Sequence, residues 1–446
     1  LLQANLDVSR HRDAWFASAV LSASLPVESD VVEISRRARL DGTVIALSSH
    51  LGASGASRFL PVLSPRDVEI VVDAVLVDVG HTSTVEFATG IQRVVKEAVR
   101  GWHDSHDIQL VGWTSTRSAL RRLDAAEQAR VLGGTPSGDS LATHRRRRDV
   151  IVPRGGAYLL PELNLERESL QRVAALARFS GLRTGAIGYD TVPISSSETS
   201  AFGVSGRFAS YLSAVKFFGR VVAISVAAGV EYSGWRRMLV GSGVAGPEVE
   251  VVVLPAGVPG PGVAPVVASP LVLCVGSHEP RKNHGAVLQA AELLWREGLE
   301  FSLLFVGGNS WGSDEFVARV ERLSAAGRDV RVLHAVDDAV LWGLYRAARF
   351  TVFPSLNEGF GLPVVESLSV GTPVVTSSFG SMREIVVAGG GGVLVDPRDD
   401  HDVARGMREL LVNDELRERL SVEALARPVR TWADYAADTW TTLTTP

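Results

Sequence analysis

Two glutamates, Glu358 and Glu366, stand with seven residues between them in the stretch Phe353–Ser378, FPSLNEGFGLPVVESLSVGTPVVTSS. One falls on a loop and the other in a helix, so the two carboxylates can address different ends of a bound molecule. Between them the amides of Gly359, Phe360, Gly361 and Leu362 cluster at a helix start, where free N–H groups and the helix dipole attract anions. A carboxylate beside such an anion-seeking end suits another task, accepting hydrogen bonds from sugar hydroxyls. Upstream, Arg281 and Lys282 follow an apolar strand. Arginine forks two phosphate oxygens and lysine adds a point charge, so the pair fits a diphosphate. Loop glutamates and adjacent Arg-Lys pairs are most often solvated; it is their occurrence together that points to a site.

Local rules supply the elements that hold these groups. Phe350–Pro354 is a short apolar strand, 355–361 a glycine-bearing loop, and Pro363 suits a first helical position, with Gly371 and Pro373 as the stop. Leu271–Val275 reads as a strand, followed by the basic loop and a helix over Gly285–Trp295. Phe301–Ser310 and Val330–Val336 carry two further strands with their turns. Strands alternating with helices at this spacing imply parallel pairing with right-handed crossovers. Asp337-Asp338 and Asp399-Asp400-His401-Asp402 sit at helix starts and read as caps, so no metal site is expected.

The 446 residues exceed one ordinary core, and 46% hydrophobic content with 43 glycines and 20 prolines describes a globular α/β chain. A net charge of −5 gives no footprint for a nucleic-acid partner; the run His144–Arg148 reads as a solvated loop. The single cysteine, Cys274, lies in an apolar strand and suggests a reducing, cytoplasmic compartment. Prolines break the uncharged stretch Val251–Ser277 into pieces too short for a membrane span of ~20 residues. The Pro/Gly-rich segment Pro255–Pro270 marks the domain boundary.

In the first half, Leu1–Ser24 reads as an amphipathic helix and Leu51–Leu63 as a loop of small residues. Val68–Val79 reads as one strand, and a helix follows from about Gly90 with Ile91, Val94, Val95 and Ala98 on one stripe. Ile108–Trp113, Val150–Val152 and Arg183–Tyr189 read as strands, and so does Val249–Leu254; Leu120–Val131 and Leu165–Phe179 read as helices. Ser225 reads as a helix cap. The helix Phe208–Phe218 mixes aromatics with a lysine, which leaves a peripheral contact at the inner membrane face open, although a buried helix accounts for it equally.

Glu358 and Glu366 with GFGLPVV between them resemble the E-x7-E motif of the retaining glycosyltransferases of family 4, and VGSHEPRKNHGAVLQAAELL at Val275–Leu294 resembles that family's strand, basic loop and helix. The resemblance implies the GT-B fold, α/β with two Rossmann-like domains facing across a cleft. Its implied division is 1–68 an N-terminal extension, 69–255 an acceptor domain, 256–425 a nucleotide-sugar domain and 426–446 a tail returning to the first domain. It implies transfer of a hexose, mannose from a guanosine diphosphate donor favoured, to a saccharide or lipid-linked acceptor with retention and without a metal or other cofactor. Mannosyltransferases and rhamnosyltransferases of surface polysaccharides are the nearest likeness. The implied catalytic set is Arg281, Lys282, Glu358 and Asp190. Donor contacts fall to Gly276, Arg281, Lys282, Val336, Glu358, Gly359, Phe360, Gly361, Leu362 and Glu366. Glu366 would accept from the ribose, and Glu358 would orient the sugar. TGIQRVV and GYDTVPI resemble acceptor-side segments, which adds Gly90, Arg93, Tyr189 and Asp190; Tyr189 stands where many members carry histidine. A nucleotide-sugar epimerase, a phosphorylase and a non-catalytic binding subunit are the alternatives. A dinucleotide-dependent dehydrogenase would need a G-x-G-x-x-G signature after an early strand, and the sequence has none there.

Overall fold

The computed structural model describes residues 6–53, 67–85, 90–134, 150–256, 260–263 and 270–445. The run His144–Arg148, residues 54–63 of the small-residue loop, and most of Pro255–Pro270 lie outside the described residues.

The chain opens with helices α1 (His11–Ser22), α2 (Glu28–Asp41) and α3 (Thr43–Ala53). Trp15, Phe16, Val31 and Ile34 bury themselves against Tyr158, Leu170 and Phe218, so this stretch shares the core of the first sheet. That sheet contains β1 (Val68–Val72), β2 (Val75–Asp78), β3 (Ile108–Trp113), β4 (Leu120–Arg122), β5 (Val150–Arg154), β6 (Ala157–Leu160), β7 (Arg183–Gly188), β8 (Arg220–Ala223) and β9 (Glu248–Val251). Between them run α4 (Gly90–Ser105), α5 (Ala125–Leu132), α6 (Arg167–Phe179), α7 (Val192–Ser195), α8 (Val204–Val215) and α9 (Val226–Gly241). The strand order is β1-β5-β4-β3-β2-β6-β7-β8-β9, with β4 antiparallel to its neighbours and the other pairs parallel.

Two expectations need correction. Val68–Val79 is not one strand. Asp73 takes φ 53° and splits it, so that β1 pairs β5 at the sheet edge while β2 pairs β6 at the centre. The neighbouring run breaks at the same level, at Gly155 and Gly156 (φ 80° and 82°), and Ala157 N donates to Ala74 O at 3.0 Å to carry the register across. Aspartate tolerates the left-handed region better than most residues, so a polar residue inside an apolar run carried the signal. Leu120–Val131 is not one helix either. Its first residues fill a strand slot beside β3, and a capping box starts α5 only at Ala125, Asp124 accepting from Glu127 N and Glu127 from Asp124 N, both at 2.9 Å.

The second sheet contains β10 (Leu271–Val275), β11 (Ser302–Val306), β12 (Val330–Leu333), β13 (Phe350–Phe353), β14 (Val374–Ser377) and β15 (Gly392–Val395). Its helices are α10 (His284–Arg296), α11 (Asp314–Ala325), α12 (Asp338–Ala347), α13 (Leu362–Ser369), α14 (Gly380–Gly389), α15 (Asp400–Val412) and α16 (Asp414–Leu425). All pairs are parallel in the order β12-β11-β10-β13-β14-β15, the doubly wound arrangement with its topological switch between β10 and β13. Asp337 and Asp399 cap their helices, accepting from Val340 N and His401 N. Cys274 is buried in β10, and burial pushes its thiol pKa up.

A last helix, α17 (Trp432–Thr444), lies on α4 of the first domain. Trp102 Nε1 donates to Ala436 O at 2.9 Å, and His106 stacks on Trp440 at 3.9 Å. One buried cluster joins Val94, Tyr189 and Ile224 of the first domain to Phe353, Phe360 and Val364 of the second and to Tyr435 of α17. The two domains are thus packed together at the roots of their ligand loops.

The paired break tests the register. A Cβ at Gly156 would sit 2.1 Å from Ala74 O, on top of a left-handed backbone. Gly156→Ala is expected to cost roughly 2 kcal/mol or more, read as a lower urea midpoint; an unchanged midpoint would refute this pairing of β2 with β6.

Candidate active site

Ligand loops in doubly wound sheets leave the carboxyl ends of the strands at the switch point. In the second domain the loops after β10 and β13 flank it, and they carry the basic pair and the glutamate. The β10 loop bends into a tight turn at Pro280–Lys282 and closes on Asn283 in the left-handed region (φ 57°). Asn283 Nδ2 donates to Pro354 O at 3.2 Å and Pro397 O at 2.6 Å, and Leu356 N donates to Arg281 O at 2.9 Å. These bonds lock the two loops together.

Glu358 sits between the cations. Arg281 Nη1 lies 2.5 Å from one carboxylate oxygen and Lys282 Nζ 2.6 Å from the other, with only 9% of the glutamate side chain exposed. Arg281 also pairs with Glu279 at 3.0 Å and donates to Asn357 O at 3.1 Å; Lys282 Nζ lies 5.0 Å from the Phe353 ring centroid. Burial alone would raise the Glu358 pKa, but Arg281 and Lys282 outweigh it and hold the carboxyl down at about 2. Burial likewise works against the Arg281 charge, and Glu358, Glu279 and Asp190 more than offset it. Both partners therefore stay ionised.

Beyond Glu358 the chain turns the glycine corner. Gly361 (φ 111°) leads into α13 with Pro363 in its first turn. The amides of Gly359, Phe360, Gly361 and Leu362 meet no acceptor among the described residues. The corner is held from behind instead: Ser225 Oγ donates to Gly359 O at 2.6 Å and Ser381 Oγ to Glu358 O at 2.9 Å. Ser225 also caps α9, accepting from Ala228 N at 3.0 Å, so the expected cap does a second job across the cleft. Asp190 faces the corner closely enough that a Cβ on Gly359 would come within 3.0 Å of its Oδ2. Burial pushes Asp190 up to about 6; Arg281 pulls it down and Glu358 pushes it up again.

A second contact lies one turn further along α13. Arg93 Nη1 donates to Glu366 Oε1, and the Tyr345 hydroxyl donates to Glu366 Oε2 at 3.0 Å. Gly90 faces Leu362, 3.6 Å from the point where its Cβ would be. The expected residues therefore form two adjoining groups, Asp190–Gly359–Glu358–Arg281–Lys282 and Gly90–Arg93–Glu366. Gly276 (φ 146°) lies against the Lys282 stem, and Val336 is half-buried against the Leu273–Tyr345 cluster at the end of β12. Tyr189 is a correction. Its side chain is buried and its hydroxyl donates to Pro161 O at 2.6 Å, so only its backbone faces the corner.

Sequence reasoning missed the polar clasp around this site. Asn357 Nδ2 donates to Ser196 Oγ at 3.1 Å, and Glu384 of α14 accepts from Val226 N and Ala227 N at the start of α9, at 3.0 and 3.1 Å. A carboxylate at a helix N-terminus is favourable, but nothing local to Glu384 announces a partner 158 residues away. Among the described residues there is no group of three or more His, Cys, Asp or Glu placed to hold a metal ion. None of the described helices is long and apolar enough to cross a membrane.

Residues 264–427 match the family of glycosyl transferases, group 1. The two-domain fold is GT-B. The O-antigen chain mannosyltransferase B of Escherichia coli is 39% identical over 156 residues, 35% of this chain and 40% of that protein. The serotype-specific mannosyltransferase WbdA of Escherichia coli is 28% identical over 244 residues, 51% of this chain and 29% of that protein. The chain thus spans less than half the length of these curated relatives. In structure it resembles Anabaena Alr3699/HepE, solved with UDP and glucose, at a TM-score of 0.58 and 14% identity, over 83% of this chain and 99% of that one.

Asp190 gives this group a measurable signature. Its folded pKa lies above the ordinary 3.8, so the unfolded chain ionises first and the fold loses stability as pH rises from about 4 to about 6. The stability of wild type relative to Asp190→Asn is expected to fall by on the order of 2 kcal/mol across that window. Parallel pH curves would remove the buried-carboxyl reading.

Proposed function

We propose that the chain transfers a hexosyl group, mannose from a guanosine diphosphate donor first in preference, to a hydroxyl of a saccharide or lipid-linked saccharide, with retention of configuration and without a metal ion. What carries the reading is the convergence at the β10/β13 switch of two cations and four amides with no described acceptor, facing a carboxyl-bearing strand end of the other domain. A nucleoside diphosphate gains charge as it departs, and fixed positive groups prepared for that charge lower the barrier. Arg281, Lys282 and the Gly359–Leu362 amides supply them.

In this mechanism the bond between the anomeric carbon and the phosphate oxygen breaks, its electron pair passing to the diphosphate. The acceptor hydroxyl forms the new bond from the same face, and its proton passes to the departing phosphate oxygen. No side-chain base is required, in keeping with a tyrosine whose hydroxyl is spent on Pro161 O. Glu358, held ionised by its two cations, accepts hydrogen bonds from the sugar hydroxyls and sets the cations in register with the phosphates. Asp190 holds a hydroxyl at the reacting end, and Glu366 receives the ribose. The mannosyltransferase relatives support the choice of sugar.

Lys282→Ala is expected to lower transfer by roughly 10²-fold with the fold intact, as loss of a transition-state contact does; near-wild-type turnover would end the assignment. A thermal-shift screen against sugar nucleotides should give its largest shift with GDP-mannose, since a ligand bound to the folded state raises its stability. A larger shift with a uridine or adenosine donor would reassign the base.

A further inference from the structure

Arg93 and Glu366 come from different domains, 273 residues apart, and meet in a partly buried contact. The glutamate is 5% exposed, with one oxygen taken by the guanidinium and the other by the Tyr345 hydroxyl. Arg93 is itself placed by the C-terminal helix, its guanidinium carbon lying 5.9 Å from the Trp432 ring centroid. Three segments distant in sequence thus fix one carboxylate.

We propose that Arg93 is a positioning residue for the donor: from the acceptor-side domain it orients the Glu366 carboxylate toward the ribose hydroxyls, so that donor recognition is complete only when the two domains are closed. The inference rests on the transferase reading above. The groups acting most on Glu366 are Arg93 on α4, and Tyr345 and Asp338 on α12. Burial raises the Glu366 pKa, Arg93 opposes it, the Tyr345 bond helps, and Asp338 pushes it further up. Without Arg93 the carboxyl titrates higher still, and a protonated carboxyl gives up one acceptor oxygen.

The test is a double-mutant cycle on the full chain with GDP as the probe. Arg93→Gln and Glu366→Gln are each expected to weaken GDP binding roughly tenfold, and the double variant no more than Glu366→Gln alone. Arg93→Gln should also bind more weakly at about pH 6 than at about pH 8, while wild type changes little and Arg93→Lys recovers most of the affinity. Without ligand, Arg93→Gln should lower Tm, and adding Glu366→Gln should restore it, because the amide needs no counter-charge. Additive losses, unchanged binding by Arg93→Gln at both pH values, or no Tm recovery would overturn the positioning role. Failure of wild type to bind any nucleoside diphosphate would bring down the transferase reading itself, whatever the ligand-free cycle shows.

Discussion

A largely buried carboxylate between two partly buried cations is the constraint around which the second domain is arranged. Removing each ion from water costs several kcal/mol, and mutual attraction returns that only when geometry is close and every remaining polar group is partnered. Glu358 meets both conditions, with Arg281 and Lys282 at 2.5 and 2.6 Å and Glu279 and Asn357 O completing the Arg281 shell. Such a cluster requires the β10 and β13 loops to be neighbours. Adjacent parallel strands with their chains running away to opposite sides make them so. Fold and charge cluster are therefore linked: a strand order that separated β10 from β13 would part Glu358 from its two cations.

The same logic extends across the cleft. The Gly359 and Glu358 carbonyls are taken by Ser225 of the first domain and Ser381 of the second, while the corner amides have no acceptor among the described residues. Glu384 neutralises the open amides at the start of α9, and Asn357 reaches Ser196. Each domain thus satisfies polar ends that the other leaves open, which favours a closed arrangement through groups that water could replace on opening.

Much of the second domain was legible because its signals are local. An apolar run ended by glycine, a proline in a first helical turn and an aspartate cap each act within a few residues, and the strands at Leu271, Ser302, Val330 and Phe350 and the helices at His284 and Leu362 stand where such rules put them, while the helix Asp314–Ala325 was not read. The first domain was harder for the opposite reason. Asp73 and Gly155–Gly156 break two strands at one level, a fact about pairing that neither segment carries alone. Leu120–Arg122 is drawn into a strand by an open slot between β3 and β5, against its own helical pattern. The candidate site divides the same way: Arg281, Lys282 and Glu358 were singled out by their places after apolar strands and by the family resemblance, whereas their mutual pairing, Tyr345, Glu384 and the inward turn of Tyr189 depend on contacts far away in sequence.

The two switch points carry different chemistry. In the first domain, β2 and β6 flank the switch, and their ends hold Asp78 and Glu162. Tyr158 and Trp113 donate to Asp78 at 2.6 and 2.7 Å, and Glu162 accepts from His81 N and Thr82 N at 2.7 and 2.8 Å. Burial and the neighbouring Asp78 push Glu162 up to about 8, and burial raises Asp78 as well. Both are fully buried, so Asp190 is the carboxyl that the first domain brings to the glycine corner. On the facing side Arg281 and Lys282 pair with Glu358 and Glu279 beside the corner amides. That asymmetry suits the proposed transfer, in which the phosphates lie against the second domain and the acceptor hydroxyl approaches from the first.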